Sequence, residues 1–275
     1  MASSLIRGLL AKGQSPQSIW AADVDASKLE SLAQDCGINT AAAEQITASV
    51  DVLVLAVKPQ VMQSVCESLT SVLPRADKTA PLIISIAAGI TSAQIEHYLA
   101  NSVSANNVLE SKAPIVRCMP NTPALIGRGA SALFANAQVT AEQKTMADTI
   151  MQAVGISVWV DVESDIDIVT ALSGSGPAYF FLFMEAMQNT AVEMGLSEEV
   201  ARILTYQTAA GAAELALAST ESTDELRRRV TSPGGTTEQA IKKFESGGIR
   251  ELVDKALKAA RDRSIELADD FGHQA

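Results

Sequence analysis

SIWAADVDASKLE, Ser18–Glu30, reads as a strand, an acidic turn and a helix in succession. Ile19–Ala22 is a short apolar run that stops at Asp23; Asp25 follows, and a helical pattern takes over near Ser27–Gln34. In a dinucleotide-binding unit an acidic residue lies about 20 residues beyond a glycine loop and meets the adenosine ribose. Asp23 stands about that far from Met1. The strand and G-x-G-x-x-G/A loop that belong before it are therefore expected upstream of Met1, in a natural protein longer than this chain. In their place Leu5, Ile6, Leu9 and Leu10 form a helical stripe that Gly13 can close. Two other readings fit the same stretch: a targeting helix, or a domain that begins with a helix.

The alternation continues outward from this point. Val52–Val57, Leu82–Ala87 and Ile115–Met119 are apolar runs of strand length, separated by helical patterns near Gln60–Leu73 and Ser92–Ala100. Further strands near Ser131–Phe134 and Ile156–Asp161, with a helix near Ala141–Ala153, complete the series. Strand–helix alternation predicts an α/β, doubly wound (Rossmann-like) parallel sheet, here missing its first strand. After Glu163 the strands stop and alanine-rich helices dominate, interrupted at Ser173–Pro177, where Pro177 suits the first turn of a new helix. Residues 1–163 thus read as an incomplete dinucleotide-binding domain and 164–275 as an all-α domain. The stretch Ile203–Ala218 is small or apolar on most faces, so it must be buried nearly all round. Interlocking with a second copy of the chain meets that need; a monomeric bundle is the alternative.

Bulk properties exclude several classes. The net charge is −11, and Arg227–Arg229 is too short a basic run for a nucleic-acid face. Cys36, Cys66 and Cys118 are odd in number and lack metal-type spacing, which reads as a reducing, cytoplasmic chain. With only His97 and His273 present, a His-based triad or metal site is disfavoured. His97 is expected on a helix surface and His273 at a loose terminus. No run approaches the length of a membrane span.

VTSPGGTT, Val230–Thr237, sits between that basic turn and a new helix through Gln239, Ala240, Ile241 and Phe244. Gly234 and Gly235 allow close backbone approach, and Thr236 or Thr237 can cap the helix. A helix start favours an anion such as a carboxylate or phosphate, although on this segment alone an ordinary capped turn is the simpler reading.

AVKP (Ala56–Pro59), SIAAGI (Ser85–Ile90), RCMPNTPALIGRG (Arg117–Gly129), ALSGSGPAY (Ala171–Tyr179) and VTSPGGTT together resemble the pyrroline-5-carboxylate reductases, in order and over essentially the whole chain. The resemblance implies reduction of L-1-pyrroline-5-carboxylate to L-proline with NADPH or NADH. It also implies an all-helical domain that dimerises, with dimers assembling into a decamer in many members. By resemblance the substrate carboxylate is received by Ser232, Gly234, Gly235 and Thr236, with Thr237 near the ring nitrogen as the catalytic residue and Glu163 near the substrate. Asp23, Ala56, Val57, Lys58, Ala87, Ala88, Gly89, Met119 and Asn121 fall on the cofactor side.

This chain departs from the family pattern at the absent glycine loop, and at Ala22, where a serine or threonine often holds the NADPH phosphate. Asp23 beside it would repel that phosphate and tilts the choice toward NADH. Ala43 replaces a frequent asparagine, and Ser222-Thr223 replace a common His-Pro. A related β-hydroxyacid dehydrogenase would carry a lysine on the first long helix of its second domain, and Ala178–Gly195 contains none. The reading from another class is a non-catalytic, dimerising module that keeps the carboxylate turn and lacks cofactor affinity.

Overall fold

The computed structural model describes residues 1–70, 72–73, 80–101 and 113–272. Contacts divide the chain into two compact units, Met1–Ser175 with Ala260–Ala275, and Gly176–Ala259.

The first unit opens with α1 (Ala2–Ala11), closed as expected by Gly13 at φ +91°. The chain then runs β1 (Trp20–Ala21), α2 (Ala26–Cys36), β2 (Asn39–Thr40), α3 (Ala43–Thr47), β3 (Val52–Leu55) and α4 (Met62–Leu69). It continues through β4 (Leu82–Ser85), α5 (Ser92–Asn101), β5 (Ile115–Met119), β6 (Gly129–Ala135), α6 (Ala141–Gln152) and β7 (Gly155–Trp159). The helix expected over Gln60–Leu73 is α4 preceded by a 3-10 turn, Pro59–Val61; Ser71 lies outside the described residues, as does His273.

Two sheets form. β1 and β2 pair in parallel, and β3-β4-β5-β6-β7 make a separate five-stranded sheet. The expectation of an all-parallel sheet fails at one place: β6 runs antiparallel to β5. Only Pro120–Arg128 joins these strands, and a parallel crossover needs roughly a dozen residues or more. The chain instead makes a 3-10 turn, Thr122–Ile126, with Gly127 at φ +71°, and folds straight back. α6 then provides a true crossover, and β7 is parallel to β6.

β4 explains why the larger sheet is covered on both faces. All four of its residues are buried, and successive side chains alternate between faces. Ile83 joins Leu55, Met62, Cys66, Leu69, Ile95 and Ile115 on one side. Leu82 and Ile84 join Leu5, Val116, Cys118, Leu133, Ala147 and Met151 on the other. Truncating one such residue to alanine costs about 2–5 kcal/mol. His97 is exposed on α5, as expected.

The break expected at Ser173–Pro177 is mild. α7 (Asp165–Val169) passes through a π-helical turn, Thr170–Gly174, and only Ser175 separates it from α8 (Gly176–Glu193), with Pro177 in the first turn. Asp165–Glu193 thereby becomes long and apolar enough to cross a membrane by length and composition, which the sequence reading did not anticipate.

The second unit holds α8, α9 (Glu198–Ala218), α10 (Thr223–Arg229), α11 (Thr236–Ser246) and the start of α12 (Ile249–Gly272). Asp224 and Glu225 open α10 and Arg227–Arg229 close it, an order that suits the helix dipole. Within this unit Phe183 meets Phe244 with ring centroids 5.8 Å apart. Phe180, Phe181, Leu182, Leu204, Leu215 and Leu217 remain exposed on α8 and α9 in the single chain.

Candidate active site

In the first unit the residues singled out at strand ends fall into two groups. The first group is open. Asp23 is exposed just past β1, its carboxylate accepting only the Asp25 N–H at 2.9 Å among the described contacts. Ala56 and Lys58 are exposed past β3, with Val57 half-buried between them. Such positions at the carboxyl ends of parallel strands are where open α/β sheets take ligands.

The second group is committed to packing. Ala87 is buried and Ala88 half-buried past β4. Gly89 is buried at φ +72°, and a Cβ there would lie 3.2 Å from Cβ of Leu267 on α12. Met119 packs on Gly174, where a Cβ would come within 2.5 Å of the methionine methyl. Asn121 donates to the Ser173 carbonyl at 3.0 Å and accepts the Ala130 N–H at 2.9 Å. These contacts bring the RCMPNTP and SGSGP segments together.

Glu163 belongs to a buried network that the sequence reading missed. Its carboxylate accepts the Ser92 N–H at 2.6 Å and the Ser92 hydroxyl at 2.7 Å, capping the start of α5. Arg117, almost wholly buried in β5, lies 3.7 Å from Glu163 and 3.1 Å from Asp167. Ser264 on α12 also donates to Asp167, at 2.9 Å. A lone arginine in an apolar strand run was the available signal, because a buried guanidinium requires carboxylate partners.

The start of α1 also escaped the sequence reading. The Ser4 hydroxyl is buried without a partner, and the Ala2 and Ser3 N–H groups have no acceptor among the described residues. Free N–H groups and an unpaired hydroxyl at a helix start fit an anion such as the pyrophosphate of a dinucleotide.

In the second unit, Ser232–Gly235 form a β-turn closed by the Gly235 N–H on the Ser232 carbonyl at 3.0 Å. Pro233 and Gly234, the latter at φ +74°, occupy the two positions that suit proline and glycine in a type II turn. The capping expectation is corrected here. Gly235 is the N-cap, with no side-chain cap, because Thr236 and Thr237 already lie inside α11. A second correction concerns the donors. The Gly234 N–H is held by Glu238 Oε2 at 3.0 Å and the Gly235 N–H by Ser232, so neither glycine offers a free donor. The N–H groups of Thr236, Thr237 and Glu238 have no acceptor among the described residues, as the geometry of a first helical turn dictates. Thr237 is half-buried and its hydroxyl is likewise unengaged among those residues. The Gly234 N–H, then Lys242, hold the Glu238 carboxyl below the usual carboxylate range.

A Rossmann-like sheet with open strand ends, followed along the chain by a helical unit, is the layout of nucleotide-dependent oxidoreductases with a separate helical module. Residues 1–89 match the family described as NADP oxidoreductase, coenzyme F420-dependent, and residues 163–267 match the pyrroline-5-carboxylate reductase dimerisation family. The pyrroline-5-carboxylate reductase of Pseudomonas aeruginosa is 50% identical over 273 residues, covering 99% of this chain and 95% of that protein. That of Vibrio alginolyticus is 42% identical over 97% of this chain and 94% of its own length. Among solved structures, a pyrroline-5-carboxylate reductase from Coxiella burnetii superposes with TM-score 0.88 at 45% identity, covering 97% of this chain and 94% of that one. The Plasmodium falciparum enzyme with NADP bound gives 0.78 at 28% identity, with the same coverage. The chain belongs to the pyrroline-5-carboxylate reductase family.

Proposed function

We propose that this chain reduces L-1-pyrroline-5-carboxylate to L-proline at the expense of NADPH or NADH. The observation that carries this reading is the set of free N–H groups at Thr236, Thr237 and Glu238, in a chain 50% identical to a named reductase over 99% of its length. When bound, the dihydronicotinamide supplies a hydride to the imine carbon, and the ring nitrogen gains a proton, which makes proline. On the cofactor side the free N–H groups of α1 with Ser4 take the pyrophosphate, Asp23 meets the ribose, and Lys58 lies at the open end of β3. Ala87, Ala88 and Gly89 shape the floor past β4, while Met119 and Asn121 keep the β5 end rigid.

The substrate carboxylate binds the start of α11, within the Ser232–Thr237 turn. The Thr237 hydroxyl orients the ring nitrogen and relays a proton from water; a neutral threonine is too weak an acid to donate one directly. Glu163 serves by fixing the start of α5, since a substrate contact would compete with its bonds to Ser92.

The exposed apolar faces of α8 and α9 fit a second copy of the chain, so the apolar run Asp165–Glu193 packs in a dimer rather than in a membrane. Dimers assembling into a decamer make the larger form, which sedimentation distinguishes. The unpaired cysteines, with Cys66 and Cys118 buried, suit the cytoplasm.

Thr236→Pro tests the site. Proline at the first helical position removes one N–H with little strain, and Gly235 already has the extended conformation proline requires before it. KM for pyrroline-5-carboxylate should rise about ten-fold, the loss expected of one charge-assisted hydrogen bond. The value for 1-pyrroline, the same cyclic imine without its carboxylate, should stay unchanged. Equal behaviour of the two imines would contradict the assignment.

A further inference from the structure

The substrate turn already holds a carboxylate. Glu238 reaches back over it, its Oε2 taking the Gly234 N–H at 3.0 Å, while Lys242 stands 3.2 Å from its other oxygen. A glutamate three residues beyond the N-cap commonly reaches back to the cap's own N–H. Here it reaches one residue further, to the glycine whose φ of +74° shapes the turn. Glu238 therefore engages a donor that a substrate would otherwise compete for. It leaves open the N–H groups of Thr236, Thr237 and its own backbone.

We propose that Glu238 is a positioning residue for the substrate carboxylate: it locks Gly234 and so aims the next N–H groups, while Lys242 cancels its charge. The cancellation matters because an uncompensated carboxylate at the same helix start would repel the incoming one. Lys242, one turn along α11, supplies the balancing charge without occupying the turn. This inference rests on the turn receiving the substrate carboxylate, as proposed above.

The test compares kcat and KM for pyrroline-5-carboxylate and for 1-pyrroline in Glu238→Ala, Glu238→Gln and Lys242→Met, each confirmed folded by its thermal midpoint. Glu238→Ala should raise KM for pyrroline-5-carboxylate roughly five-fold with kcat kept, as expected for losing one hydrogen bond to a charged group at a half-exposed site. KM for 1-pyrroline should not move. Glu238→Gln retains an oxygen for the Gly234 N–H and should stay within about two-fold of the parent. Lys242→Met leaves the glutamate charge unbalanced and should raise KM for the carboxylated imine alone, by about two-fold. The proposal is overturned if Glu238→Ala leaves KM unchanged, if it shifts both imines equally, or if Glu238→Gln is as impaired as Glu238→Ala. Should Glu238→Ala not fold, an unchanged KM in Lys242→Met overturns it instead. Thr236→Pro separates the two readings: if that variant discriminates between the imines while the Glu238 and Lys242 variants do not, the turn reading stands and only this inference fails.

Discussion

Glu163 closes on Ser92, its carboxylate taking both the backbone N–H at 2.6 Å and the hydroxyl at 2.7 Å of the first residue of α5. The two residues are far apart in the chain, and their bond ties the loop after β4 to the segment that follows β7. Because Arg117 also lies 3.7 Å from Glu163, removing the carboxylate unbalances a buried cation as well.

Glu163→Ala should therefore act mainly on stability. A hydrogen bond to a charged group is worth about 1.5–3 kcal/mol, so the unfolding free energy should fall by about 2 kcal/mol. Glu163→Gln keeps one acceptor oxygen and should lose about half of that. Turnover per folded molecule should remain within about three-fold of the parent, the margin expected when only a supporting hydrogen bond changes. Urea unfolding beside steady-state kinetics checks both; a collapse of turnover with stability intact would instead place Glu163 on the substrate.

Much of this was legible beforehand, and the exceptions have physical causes. Ile115–Met119 stood out as a strand because its residues are apolar and bounded by turn signals, and the structure matches it residue for residue. β2 and α3 were missed because Asn39–Thr40 carries no apolar pattern and α3 spans barely one turn. The direction of β6 was hidden because two-residue periodicity is the same in parallel and antiparallel strands; only the short link Pro120–Arg128 records it. At the SPGGTT turn the sequence suggested donors at Gly234, Gly235 and Thr236, but the N–H groups of both glycines are already engaged. Which N–H groups stay free depends on where the Glu238 side chain lies, and glycines alone do not reveal that.

In the reading proposed above, cofactor choice turns on Asp23. Exposed beyond β1, it can accept from a ribose hydroxyl but repels a phosphate in the same place. Asp23→Asn should raise the ratio of kcat/KM for NADPH over NADH about ten-fold, the scale of one removed like-charge contact. Cofactor oxidation with each nucleotide in turn measures it, and a ratio that stays put would remove Asp23 from the ribose site.

Two thiols set an alkaline limit on stability. Burial pushes Cys66 up from an ordinary value of 9.0 to about 12, and Cys118 upward as well. A folded pKa above the unfolded one gives stability that is complete below about pH 9 and is lost as pH rises toward the folded values. Each thiol can contribute up to about 1.4 kcal/mol per pH unit in that window. The urea midpoint should fall from pH 9 to 10, and Cys66→Ala should show a shallower fall whatever its midpoint at pH 8. An unaltered slope in that variant would show that the Cys66 thiol ionises as readily folded as unfolded.

The most direct test of the central claim follows the hydride itself. The purified 275-residue chain is incubated with pyrroline-5-carboxylate and nicotinamide cofactor deuterated at C4, each face in turn, and the proline is examined by mass and NMR. Proline carrying one deuterium at C5, formed in equal amount to the cofactor oxidised and from one labelled face only, is the predicted result. Proline without deuterium from either face, or no proline while both ligands bind, would contradict the assignment of this chain as a working reductase.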